Sequence, residues 1–145
     1  EPVMQEYDYI VIDTPPALGL LTINAFTTAD EVLVPTTAGI FAATGIKQLY
    51  DTIEKVKKYC NPKIKIAGIL MTKYNPRTNN DKDMKELTEK LAQYMQVPVY
   101  NTFIRNSVVV EEAQSRKTNL LSYKKNAAVS EDYISFVEEY LKGEK

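Results

Sequence analysis

Residues 64–72 read IKIAGILMT, and this run constrains the fold more than any other stretch. A strand that is apolar on both of its alternating faces leaves no side for water. It therefore belongs inside a parallel sheet covered above and below. Three further runs read as strands: Tyr9–Asp13 (YIVID), Glu31–Thr36 (EVLVPT) and Val97–Phe103, the last weakened by Pro98. Helical patterns separate them. Leu21–Thr28 forms a short helix. From Thr44 to Tyr59, Ile46, Leu49, Tyr50, Ile53 and Val56 recur at helical spacing, with Lys55, Lys57 and Lys58 where the helix dipole favours cations. Asn61–Pro62 stops that helix. A polar segment, Lys73–Asn80, leads into a helix with Met84, Leu87, Leu91 and Met95 on one stripe. The last helix runs from Ser130, as its N-cap, to Leu141.

Ile104–Val110 conflicts with its own propensity. Its β-branched residues favour a strand, but Glu111–Gln114 extend it with helix formers and Asn106 or Ser107 can cap, so the expectation is a short helix. The order βαβαβαβ predicts an α/β fold, a mostly parallel sheet with helices on both faces. With 145 residues and 44% hydrophobic content, the chain builds one core and reads as one domain.

Composition removes several chemistries. The lone Cys60 excludes an internal disulfide framework and a cysteine-rich metal site. With no histidine, triads based on imidazole and the common zinc sites are excluded too. A net charge of −1 supplies no overall field for polyanions, so nucleic-acid contact must come from a local patch. No apolar run approaches the ~18 residues of a membrane span. The opening EPVMQEYD is acidic and lacks a secretory signal pattern, and the tail EEYLKGEK is too acidic for a basic membrane-binding helix. The expectation is a cytoplasmic protein with no membrane partner.

The chemistry concentrates at Asp13. A carboxylate closing a buried strand sits where open α/β sheets bind their ligands. Mg²⁺ uses one or two such carboxylates beside phosphates and keeps several waters. The plain alternative is an Asp that only opens the turn into Thr14–Pro15–Pro16. The two prolines stiffen the loop in either case. The five glycines offer no Gly-x-x-x-x-Gly-Lys-Ser/Thr spacing. The residues thus hold half of a nucleotide site and no phosphate loop.

YDYIVIDTPPALGLLTINAF resembles the region around the magnesium-binding Asp of ParA-type partition ATPases, the deviant-Walker phosphate-loop proteins that segregate plasmids and chromosomes. The resemblance continues through VLVPTTAGIFAATGIKQL, GILMTKYNPRTNN and FIRNSVVVEEAQSRK, and so covers nearly the whole chain. It implies that residues 1–145 are the C-terminal portion of such a domain, an incomplete phosphate-loop fold lacking the phosphate-loop strand. That loss leaves the Asp13 strand with an open edge for another chain or segment to cover.

The resemblance also assigns roles. Asp13 matches the residue that orders Mg²⁺ through water. Thr14, Pro15, Pro16 and Gly19 match a switch-like loop that senses the γ-phosphate and contributes to the dimer face. Thr72 and Tyr74 match the place of the adenine ring, and Arg105 lies in the block that closes over the base. Relatives often read Ile-Pro-Arg there, whereas this chain has Phe103–Ile104–Arg105. Arg77 matches an arginine implicated in DNA binding without sequence preference; Lys82, Arg116, Lys117, Lys124 and Lys125 are further candidates to neutralise phosphates. The implied whole protein binds ATP and Mg²⁺, dimerises, coats DNA and responds to a ParB-like adaptor. Without the phosphate loop, this chain alone is expected not to hydrolyse ATP. Two other readings stand beside it. One is a relative of capsule-type bacterial tyrosine kinases, similar at IDTPP, but of the C-terminal tyrosine cluster such a protein needs only Tyr133 and Tyr140 are present. The other is a non-catalytic interaction module.

Overall fold

A computed structural model describes residues 5–143; the first four residues of the acidic opening and the last two of the acidic tail lie outside the described residues. The described chain forms α1 (Leu20–Thr28), β1 (Glu31–Thr37), α2 (Ala42–Tyr59), β2 (Lys65–Tyr74), α3 (Asn79–Met95), β3 (Ile104–Arg105), α4 (Val108–Ser115), α5 (Leu120–Lys124) and α6 (Ala128–Gly143). The sheet has the order β1-β2-β3 and both pairings are parallel. The α/β class and the parallel sheet with helices on both faces are as expected.

The pleat of β2 explains the layering. Neighbouring residues of a strand point to opposite faces. Ile69 joins Val34, Ile46, Ala92 and Met95, and so meets α2 and α3. Leu70 joins Ile104, Val129 and Phe136 on the other face, under α6. A third cluster, Phe26, Ile53, Val56 and Ile64, packs α1 against α2. The predicted stripe of α2 is thus its core face. Asn61, expected only to stop α2, also ties it to α1: its Nδ2 donates to the carbonyls of Phe26 (3.0 Å) and Ala29 (2.8 Å).

Four expectations need correction. The first is the strand at Tyr9–Asp13, where no strand forms and the apolar side chains face outward, Val11 being 91% exposed. Strand structure requires a neighbour for its ladder, and none of the three described strands pairs with this segment. The second is the strand at Val97–Phe103. The chain touches β2 there in a single bridge, Ile69 to Val99, and rejoins it only at Ile104–Arg105, inside the segment expected to be helical. The helix starts later, at Val108, where the Ser107 side chain accepts from the Val109 N–H as a cap.

The third concerns α3: Leu87 is 44% exposed and Thr88 takes the buried position, its hydroxyl donating to the Met84 carbonyl. The fourth is Ser130, which is fully buried within α6 rather than capping it; its Oγ donates to the Lys124 carbonyl at 2.8 Å. Among the described residues, no helix is long and apolar enough to cross a membrane.

Candidate functional site

Because the strands run parallel, their carboxyl ends lie along one edge of the sheet. Register pairs Thr37 with Thr72 and Thr72 with Ile104, and Tyr74 with Arg105. Thr72 also donates its Oγ1 to the Thr36 carbonyl at 3.1 Å. The fold therefore brings Thr72, Tyr74 and Arg105 together at the edge where α/β sheets bind ligands.

The loop after Asp13 reaches the same edge. A cleft of about 500 Å³ lies between Pro16–Leu18, the end of β1 at Val34–Thr36, and α2 from Ala42 to Leu49. Asp13 does not line this cleft. Its side chain is exposed three residues before Pro16, as are Pro15, Pro16 and Gly19, while Thr14 is half-buried. One residue overlooked in the sequence anchors the loop. Thr22, 3% exposed on α1, donates its hydroxyl to the carbonyls of Ala17 (2.8 Å) and Pro15 (3.4 Å). A hydroxyl on the buried face of a mostly apolar helix was the available signal.

Tyr74 is 5% exposed, its ring edge-on to Phe103 at 4.8 Å and beneath the Lys85 ammonium. Its side chain is core, so whatever it does at the edge comes from backbone position. Arg105 is engaged by Asp132 of α6: Nε donates to Oδ2 and Nη2 to Oδ1, both at 2.7 Å, and the Arg105 N–H donates to Oδ2 at 3.0 Å. This carboxylate raises the already high pKa of the guanidinium. Glu139, one face along α6, accepts from the N–H groups of Asn101 (2.7 Å) and Thr102 (2.8 Å). Burial pushes the Glu139 carboxyl up, but the hydrogen bonds from Thr102 and Asn101 prevail and hold it below the ordinary glutamate value. Asp132 and Glu139 were overlooked too; carboxylates spaced around Phe136 on a packed helix face were the trace they left.

The basic candidates divide between two places. Arg77 is exposed in the turn between β2 and α3, its N–H donating to Asn75 Oδ1, and Lys82 is exposed in the first turn of α3, at the same sheet edge. Arg116 and Lys117 lie exposed at the far end of α4. Arg116 sits over the Tyr123 ring at 5.0 Å, and Lys117 takes the left-handed conformation, φ 51°, that ends the helix.

What suits magnesium here is residue chemistry and not cleft geometry, since Asp13 stands exposed outside the cleft. Asp13 offers the single carboxylate that Mg²⁺ accepts beside phosphates. No group of three or more His, Cys, Asp or Glu able to hold a metal exists among the described residues, and no cation lines the cleft. The cradle for a triphosphate is not among them.

Known proteins resemble this chain in sequence and in fold. Residues 1–66 match the family described as AAA domain. The chain is 37% identical over 139 residues to the sporulation initiation inhibitor protein Soj of Bacillus subtilis, covering 96% of this chain and 54% of that protein. It is 36% identical over 141 residues to the chromosome partitioning protein ParA of Myxococcus xanthus, covering 97% and 49%. The chain thus spans about half the length of the curated relatives it matches. Among solved structures, cobyrinic acid a,c-diamide synthase from Mycobacterium smegmatis superposes with a TM-score of 0.77 at 27% identity, over 99% of this chain and 51% of that one. A structure of that synthase with a bound ATP analogue and magnesium aligns at 33% identity and a TM-score of 0.64, over 73% and 42%. Over most of its length, the chain is a homologue of the Soj/ParA chromosome partitioning proteins.

Proposed function

We propose that residues 1–145 are the C-terminal portion of a ParA-type partition ATPase that binds ATP and Mg²⁺, dimerises and coats DNA without sequence preference in the cytoplasm. The observation that carries this reading is the parallel register. In a homologue of partition ATPases, it sets Thr72, Tyr74 and Arg105 along the edge reached by the Asp13 loop.

In this reading Asp13 holds a water of the metal, and Thr14, Pro15, Pro16 and Gly19 form a stiff loop facing the γ-phosphate and the second subunit. Thr22 keeps that loop against α1. Thr72 and Tyr74 shape the base side through the strand end, and Arg105 closes it. Bound magnesium supplies charge neutralisation for the phosphates. Arg77 and Lys82, with Arg116 and Lys117, neutralise DNA phosphates. In the whole protein a phosphate-loop strand covers the outward-facing apolar run Ile10–Ile12, and a ParB-like adaptor stimulates turnover.

Turnover and DNA retention, measured on this chain and on the complete reading frame that encodes it, test the proposal. The chain alone should show no saturable Mg²⁺-dependent ATP hydrolysis. The complete protein should hydrolyse ATP, lose that activity in Asp13→Ala, and lose DNA steeply as salt rises. Turnover by the chain alone, or turnover indifferent to Asp13→Ala, refutes the site; retention that ignores salt refutes DNA coating.

A further inference from the structure

The geometry points to α6 as the element that positions the base side of the site, with Asp132 and Glu139 as positioning residues; this rests on the nucleotide reading above. The segment from Val97 to Arg105 has little ladder of its own: one bridge at Val99 and a two-residue strand at its end. Between these points its backbone donors turn to α6. Glu139 takes the Asn101 and Thr102 N–H groups and also the Asn101 amide (Nδ2 to Oε1, 3.0 Å). Asp132, 8% exposed, takes the Arg105 N–H and two guanidinium donors.

Asp132, Phe136 and Glu139 follow at i, i+4 and i+7, so they share one helix face. Phe136 packs edge-on against Tyr100, immediately before the gripped residues, with ring centroids 5.1 Å apart. One helix thus holds this segment from Tyr100 to Arg105, the part that the sheet barely holds. A bidentate carboxylate also fixes the plane of the guanidinium and offsets its charge. Arg105 so held serves as an oriented wall beside the base, not as a cation for the triphosphate. Asp132 accordingly sets how strongly the site prefers a nucleotide over a bare polyphosphate chain.

The test compares Mg²⁺-ATP with Mg²⁺-tripolyphosphate, a ligand with the phosphates and no base, by calorimetry on the complete protein. Wild type should bind ATP more tightly than tripolyphosphate. Asp132→Asn should reduce that preference by about tenfold or more, since charge-assisted hydrogen bonds are lost. Asp132→Glu should restore part of it, and Glu139→Gln should reduce it by less. If Asp132→Asn does not fold, judged by circular dichroism, the latter two variants decide. An unchanged preference in the folded variants overturns the proposal, and so does equal weakening of both ligands, which marks general damage. A wild type with no preference for ATP refutes the underlying nucleotide reading instead and takes this inference with it, a result recognisable before any variant is made.

Discussion

Replacing Gly68 by Ala probes how tightly α6 and the sheet are locked. Gly68 is buried in β2, and a Cβ there would lie 2.5 Å from Cε2 of Tyr100 and 3.0 Å from its Cζ. Ordinary carbon contacts begin near ~3.5 Å, so the ring has to retreat by about 1 Å. It is poorly placed to do so. Its hydroxyl donates to the Ala67 carbonyl at 3.3 Å, and Phe136 and Tyr140 flank it at centroid distances of 5.1 and 6.5 Å. The register of β1 on β2 skips Ala67 at this point, Val32 pairing with Ile66 and Leu33 with Gly68, and the Tyr100 hydroxyl donates to the Ala67 carbonyl.

Overpacking of this kind costs about 1–3 kcal/mol. Opposing it, Gly68 has no positive φ, so Ala loses nothing to backbone strain and restricts the unfolded chain by about 0.4–1 kcal/mol. The clash wins, for a net destabilisation of about 1–2 kcal/mol, or roughly 2–4 °C of melting temperature per kcal/mol. Urea unfolding followed by far-ultraviolet circular dichroism should show a lower midpoint at an unchanged slope. The same substitution in a Tyr100→Leu background should cost less than about 0.5 kcal/mol, because the obstructing ring is gone. Equal costs in the two backgrounds, or a Gly68→Ala chain as stable as wild type, would refute the reasoning.

Asn61→Ala removes both side-chain bonds that tie α1 to α2 and should lower stability by about 1–2 kcal/mol; a wild-type urea midpoint would contradict it. Acid sensitivity follows from Glu31 and Glu139. Lys65 beside Glu31, helped by the Tyr140 hydroxyl, holds its carboxyl below 4.5, and Glu139 is lowered as described. Groups depressed in the folded state contribute stability above the unfolded value and lose it as pH falls through the folded one. Melting temperature should therefore fall as the pH drops below 4.5, and Glu139→Gln should flatten part of that fall; an identical acid limb in the variant would remove Glu139 from the account.

Elements whose cause is local were legible from residue order alone. The both-face apolar run became β2, the stripe through Ile46, Ile53 and Val56 became the buried face of α2, and Ser107 caps α4 as its chemistry allows. The candidate edge was also legible, because parallel strands align their carboxyl ends once the alternation is read. The rest depended on contacts between distant segments. A strand is a relation between two segments, so YIVID, with every local mark of one, forms none where no described strand pairs with it. The same logic moved β3 from Val97–Phe103 to Ile104–Arg105. Arg105 finds Asp132 and Asn101 finds Glu139 at separations of 27 and 38 residues, distances at which no periodicity in the chain records a partner. Only the packing of α6 on Leu70 and Ile104 brings those carboxylates within reach.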